Sequence, residues 1–190
     1  MAFLSGPRQV GKTTLAKTFA TTFLSWDDPG DRALVLRGPA SVAEAAGLSG
    51  LSDSSPVVAF DEIHHHPRWK TFLKGFFDKH ESECRVIATG SARMDVWKRG
   101  GDSMMGRYFP YRVHPLSVAE LLSADIPGDD LVRPPAPLAP DLWDALRTFG
   151  GFPEPFALRQ PRFHRKWQRL RFEQLLREDL RDFSRSPTSP

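Results

Sequence analysis

The sequence predicts an α/β fold, a parallel sheet flanked by helices with a short C-terminal helical segment. Three observations predict it. Short apolar runs, "AFLS", "VVAFDE" and "RVIATGSA", each end in small or polar residues, as strands do when ligands bind at their carboxyl ends. A turn bracketed by glycines, "GPRQVGKTT", follows the first run directly. Stretches such as "RWKTFLKGFFDKH" place apolar residues at helical spacing.

The totals fit one domain, with room for an appendage. The chain has 190 residues, 40% hydrophobic and 26% charged, which reads as soluble and globular. No apolar run exceeds five residues, too short for a transmembrane helix, so no membrane partner is expected. The first residues lack the basic-then-apolar pattern of a secretory leader. Cys84 is the single cysteine and forms no internal disulfide, so a reducing cytoplasm is the expected location. A net charge of +3 from 26 basic and 23 acidic residues does not by itself argue for nucleic acid.

The first element after the opening strand is the turn itself. Gly6 to Thr13 spell G-x-x-x-x-G-K-T, the P-loop signature. Gly6 and Gly11 permit backbone geometries that a Cβ would block, so the N–H groups of Gly6, Pro7, Arg8, Gln9, Val10, Gly11, Lys12, Thr13 and Thr14 (the proline apart) are free to turn around a phosphate chain. Lys12 reaches the β- and γ-phosphates as a point charge, and the Thr13 hydroxyl is placed to ligate Mg²⁺. "KTTLAKTFATTF" then reads as one helix, with Leu15, Phe19 and Phe23 repeating every four residues. Its positive end would face the phosphates.

Residues 57–62, "VVAFDE", form a strand ending in two carboxylates. Behind a P-loop, Asp61 is expected to hold Mg²⁺ and Glu62 to polarise the attacking water as general base; the alternative is a solvated turn or a helix cap. His64, His65 and His66 follow. Consecutive histidines point in different directions, so they read as loop residues near the nucleotide rather than as one metal site. Pro67 is placed to open a helix that buries Trp69, Phe72, Leu73, Phe76 and Phe77.

The next strand ends in Thr89, Gly90 and Ser91. A hydroxyl there could sense the γ-phosphate or orient the water, or it could cap the following segment. "YFPYRVHPLSVAELL", residues 108–122, reads as a strand and then a helix, with Ser117 and Glu120 spaced as a capping box. Residues 123–140 carry Pro127, Pro134, Pro135, Pro137 and Pro140, a density that no regular element accepts, so they form a linker or long loop. Beyond it, "DLWDALRTFGGF" buries Leu142, Leu146 and Phe149 and breaks at Gly150–Gly151. Residues 161–183 form a charged helix with Arg169, Glu173 and Arg177 at i,i+4 spacing. Its basic first half, with Trp167 interleaved, suits nucleic acid, or else it is a helix face that packs on another domain. Residues 184–190 read as a disordered tail.

Taken in order, "GPRQVGKTTLAKTF", "FLSWDDP", "VVAFDEIHHHP", "VIATGSARM", "MMGRYFPYRVHPLSVAEL" and "GGFPEPF" resemble a prokaryotic AAA-type ATPase family whose members carry a second, C-terminal domain of unknown function. The resemblance runs from about residue 3 to residue 183. It implies a P-loop NTPase sheet of the ASCE/AAA-like kind, its P-loop strand flanked by the strands carrying Asp61 and Thr89–Ser91. ATP and Mg²⁺ are the implied ligands, with hydrolysis driving an unidentified conformational output. By position, Gly6, Gly11, Lys12 and Thr13 bind phosphate and Mg²⁺, Asp61 is the metal ligand, Glu62 the base and Ser91 the sensor. Arg107, in "MGR", falls where the family keeps an arginine that neutralises γ-phosphate charge, in cis or from a neighbouring subunit of an oligomer; a surface arginine is the alternative.

The chain also departs from the family. Met1 nearly begins the first strand, and His64 stands where relatives carry glutamine. "KRGGDSMMGR" has two glycines where a longer helical segment is expected. The chain stops about where the C-terminal domain should begin. The expected organisation is therefore an ATPase core over 1–122, a linker over 123–140 and a helical segment over 141–183 leading to an absent domain or an unknown protein partner. Two alternatives to ATP hydrolysis remain, a nucleotide-binding module that does not hydrolyse and a P-loop small-molecule kinase. Against the kinase stands the Asp-Glu pair, because transfer to a substrate hydroxyl needs no water-activating glutamate.

Overall fold

The computed structural model describes residues 1–48, 55–90, 104–122 and 135–183, with side chains as far as 176. Contacts divide the chain into two compact units, Met1–His114 and Pro115–Pro190.

The first unit is a five-stranded parallel sheet, the α/β fold of a P-loop NTPase. Its strands are β1 (Ala2–Ser5), β2 (Thr22–Ser25), β3 (Val57–Asp61), β4 (Arg85–Thr89) and β5 (Phe109–Arg112), in the spatial order β2-β3-β4-β1-β5. All four pairings are parallel. Helix α1 (Lys12–Phe19) connects β1 to β2; α2 (Pro29–Arg37) and α3 (Pro39–Ala45) precede β3, and α4 (Trp69–His80) precedes β4. Alternation along each strand sends neighbouring side chains to opposite faces. Phe3, Val58, Phe60, Val86 and Ala88 join one core with residues of α2, α3 and α4, while Leu4 and Ala59 pack with Ala16 of α1. Helices therefore cover both faces, as a parallel sheet requires.

This strand order corrects one expectation. β4, not β3, adjoins the P-loop strand, and β5 lies on its other side. Asp61 of β3 is thus one strand removed from the P-loop, with Thr89 of β4 between them. A second correction concerns the helix behind the loop. It ends at Phe19, Leu15 and Phe19 are exposed, and Phe23 belongs to β2. Ala16 is the buried residue, because its small side chain lets the helix lie close on the sheet. In α4, Phe72, Leu73 and Phe76 are buried as the periodicity predicts, while Trp69 and Phe77 are half-buried. Strand β2 and helices α2 and α3 were not among the expected elements.

Strand β5 forms one margin of the sheet. Phe109 N–H donates to the Met1 carbonyl and Val113 N–H to the Ser5 carbonyl. Between them Pro110 sits in register with Phe3, and the side chains of Phe109 and Tyr111 are exposed. A cavity of about 400 Å³ opens at the amino ends of the strands, lined in part by Met1, Phe19, Phe77 and Cys84. It lies at the end of the sheet away from the P-loop. The P-loop turn and the paired carboxylates converge at the opposite end, which makes that end the candidate site.

The second unit is helical, comprising α5 (Val118–Leu122), α6 (Pro140–Phe149), α7 (Pro153–Leu158) and α8 (Pro161–Phe183). The capping box at its start is reciprocal: Ser117 N–H donates to Glu120 Oε2 at 2.8 Å and Glu120 N–H to Ser117 Oγ at 3.3 Å. α6 buries Ala145 and half-buries Leu142, Leu146 and Phe149 before Gly150 ends it at φ 73°. Gly151 is needed for close approach, since a Cβ there would meet the Leu116 carbonyl oxygen at 2.3 Å. α7, absent from the sequence expectations, follows. On α8 the Arg169–Glu173 pair forms at 3.0 Å, and the Arg177 side chain lies outside the described residues. Trp167 is buried against Phe152, with the Arg171 guanidinium 4.1 Å over the Phe152 ring. That indole is core and not a platform for stacked bases. Among the described residues no helix is long and apolar enough to cross a membrane.

Candidate functional site

The site is assembled where β1, β3 and β4 end and α1 begins. The turn from Gly6 to Gly11 carries positive φ at Gly6 (149°), Gln9 (62°) and Gly11 (97°). Such alternation of handedness turns successive N–H groups to one side and makes an anion-binding concavity. Gly6 has a further constraint: a Cβ on it would meet the carbonyl oxygen of Val113 at 2.3 Å. The strand that exits β5 passes too close for any side chain. Val10 is buried, Pro7 half-buried and Arg8, Gln9 and Thr14 are exposed.

The Lys12 side chain is buried, and its ammonium donates to the carbonyls of Gly6 (3.0 Å) and Pro7 (2.9 Å). The loop thus holds its one lysine centrally, at the positive end of α1. Thr13 Oγ1 lies 3.1 Å from each Asp61 carboxylate oxygen. Hard oxygen donors from two elements converge here, the donor set Mg²⁺ prefers. Asp61 is itself buried, and its Oδ1 accepts a 2.5 Å hydrogen bond from Thr89 Oγ1. That same hydroxyl oxygen accepts from the Glu62 N–H at 3.2 Å. The intervening strand β4 thereby spans the gap its position creates.

Thr89 is fully buried and committed to these two bonds, so it positions Asp61 rather than facing a phosphate. Its signal in the sequence was a hydroxyl at a strand end. Thr89→Val keeps the shape while leaving the Glu62 N–H unpaired. It is expected to cost about 1–3 kcal/mol, read from the midpoint of urea denaturation. An unchanged midpoint would show that the hydroxyl is idle.

Glu62 adopts a left-handed conformation, φ 53° and ψ 29°, uncommon for a residue with a Cβ and found often at functional sites. Burial holds its pKa above the ordinary carboxylate value. Asp61 pushes the same way, and Lys12, His65 and Arg8 oppose. After it, Ile63–His65 make one 3-10 turn. His66 is a core residue: it is buried, its Nδ1 accepts from the Arg68 N–H at 2.9 Å, and its ring packs edge-on against Trp26 at 5.2 Å. His64 and His65 behave differently from the expectation that neighbours diverge. The 3-10 turn brings their rings to 4.0 Å. His64 Nδ1 stands 3.3 Å and His65 Nε2 3.9 Å from Glu62 Oε2. Burial, with His65, Arg8 and Lys12 adding to it, depresses the His64 pKa to about 4, so this ring is neutral at pH 7.

Two expectations remain. Ser91 lies outside the described residues. Arg107 sits at the amino end of β1, where its carbonyl accepts from the Met1 ammonium at 2.9 Å. Its guanidinium is engaged with both oxygens of Asp78 on α4. The P-loop is at the other end of the same strand, so Arg107 is not brought to the site of its own chain.

With the geometry in place, comparison with known proteins adds one finding. Residues 1–122 match the model of the family described as AAA domain. No curated protein matches the chain.

Proposed function

This chain belongs to the AAA domain family, which implies nucleotide binding, and we propose that it binds ATP with Mg²⁺ and hydrolyses it to drive a conformational output. The carrying observation is the convergence of Thr13 on Asp61 at 3.1 Å, beside Lys12 and Glu62. In this reading the loop N–H groups and Lys12 hold the β- and γ-phosphates. Thr13 and Asp61 hold Mg²⁺, which supplies charge neutralisation on the phosphate oxygens. Glu62 takes the proton from the attacking water, and its raised pKa brings it nearer to the working pH of a base.

Lys12→Ala tests the binding half. Mg·ATP at a hundredfold excess over Kd stabilises a one-site protein by about 2.7 kcal/mol, a rise of several degrees in melting temperature. The parent is expected to show that rise and Lys12→Ala to lose it. A parent indifferent to Mg·ATP would end the proposal.

The placement of Arg107 favours one second reading, binding without turnover. Engaged with Asp78 at the far end of β1, it leaves the transition-state charge uncompensated within one chain unless an arginine from a second copy supplies it. If a second copy does so, turnover rises with protein concentration. In a strictly monomeric binding module it stays at background throughout.

A further inference from the structure

Three groups with metal-ligating atoms meet beside the P-loop: Glu62, His64 and His65 offer one carboxylate oxygen and two imidazole nitrogens, all within 4.8 Å of one another. The closest approach, His64 Nδ1 to Glu62 Oε2, is 3.3 Å. Although this distance lies within ion-pair range, the buried nitrogen makes no hydrogen bond, because its direction does not suit one. A nitrogen and an oxygen at this spacing, unbonded to each other, have the separation of two ligands on one ion. Bonds of about 2.0–2.1 Å at a tetrahedral angle put donor atoms about 3.4 Å apart. The His65 Nε2 distance of 3.9 Å closes to that value with a small rotation of an exposed ring.

We infer that Glu62, His64 and His65 form a three-ligand site for a borderline divalent transition ion of the Zn²⁺ class, and that its occupation silences the carboxylate that activates water. The regulatory half rests on the reading of Glu62 as the general base. The ligand set is wrong for Mg²⁺, which takes oxygens, and right for Zn²⁺, Co²⁺ or Ni²⁺, which accept imidazole with carboxylate. Three protein ligands leave a position for water, and the 3-10 turn supplies the required convergence from four consecutive residues. Arg8 and Lys12 lie near enough to Glu62 to bear on its charge. Their repulsion of a dication weakens the site, which suits reversible control. Once coordinated, the Glu62 lone pairs are committed to the ion, and the proton of the attacking water has no acceptor. Asp61 and Thr13 stay free for Mg²⁺, so nucleotide binding survives.

Equilibrium dialysis of the full chain against Zn²⁺, without nucleotide or Mg²⁺, decides the site. The parent is expected to hold one more Zn²⁺ than either His65→Ala or His64→Gln, each checked for fold by circular dichroism. Equal zinc content in all three would overturn the inference, whatever the chain does with ATP. Turnover decides the regulation. The ratio of rates without and with micromolar Zn²⁺, at saturating Mg·ATP, is expected to be at least tenfold in the parent and near one in His65→Ala. A chelator should restore the parent. Equal inhibition in both would put the ion on Thr13 and Asp61 and sink the regulatory half. A chain that never turns over ATP would remove the ATPase reading and the inhibition with it, while the dialysis still judges the site.

Discussion

Glu62→Gln is expected to lower ATP turnover by about two to four orders of magnitude while Mg·ATP binding persists. Glutamine keeps the length of the side chain and tolerates the same left-handed backbone, but it cannot accept a proton. The groups proposed to hold phosphate and Mg²⁺, Lys12, Thr13 and Asp61, are untouched. The parent should also show an acid limb that reports Glu62. A base must be ionised to work, and burial raises the pKa of this one. Turnover therefore falls as pH drops through a value above the ordinary carboxylate range, and the limb vanishes with the substitution. Steady-state hydrolysis across about pH 5 to 8, paired with nucleotide titrations, reads both effects. Equal turnover in parent and variant would strip Glu62 of its role. Background rates in both would favour binding without hydrolysis.

Phe60→Ala is expected to cost about 3–5 kcal/mol, a large part of the 5–15 kcal/mol that holds a typical domain together. Phe60 is fully buried on the interior strand β3, in register with Leu24 and Ala88. Phe72 and Phe76 of α4 meet it edge-to-face at 5.5 and 5.3 Å. Truncation removes a ring from the middle of that arrangement and leaves a cavity that the sheet, bonded on both sides, does not close. Urea denaturation gives the value, with Phe60→Leu as the control at no more than about 1.5 kcal/mol. A loss below about 1 kcal/mol for alanine would mean that α4 collapses into the space. Because Phe60 directly precedes Asp61, loosening this position also loosens the carboxylate that pairs with Thr13.

What was legible in the sequence follows from how local each feature is. The P-loop is defined by backbone conformations at Gly6 and Gly11 that other residues resist, so its spacing alone identifies it. Asp61 and Glu62 were legible because a strand that ends at a site must place its next residues there. Strand order was not legible: β3 and β4 are apolar runs of equal length, and nothing in either states which one pairs with β1. The helix behind the loop was misjudged at Phe23, where a four-residue spacing happened to bridge a helix and the next strand. Its true contact, Ala16, has too small a side chain to register in an apolar pattern. The convergence of His64 on His65 was not legible, because divergence of neighbours assumes ordinary backbone, and the left-handed Glu62 followed by a 3-10 turn is not ordinary. Arg107 was legible as a motif but not as a place, since its distance from the P-loop depends on strand direction.

The margin of the sheet at β5 bears on how the protein survives at high concentration. In a parallel pairing, the N–H groups of alternate residues face the neighbour. Those of Phe109 and Val113 face β1, so the outward donors belong to positions 110 and 112. Position 110 is proline and has no donor to offer. A foreign strand arriving at this edge strand, drawn by the exposed rings of Phe109 and Tyr111, finds the ladder broken at its first rung. The proline acts as a gatekeeper against edge-to-edge aggregation, and it does so without disturbing the inward bonds that hold β5 beside the P-loop strand.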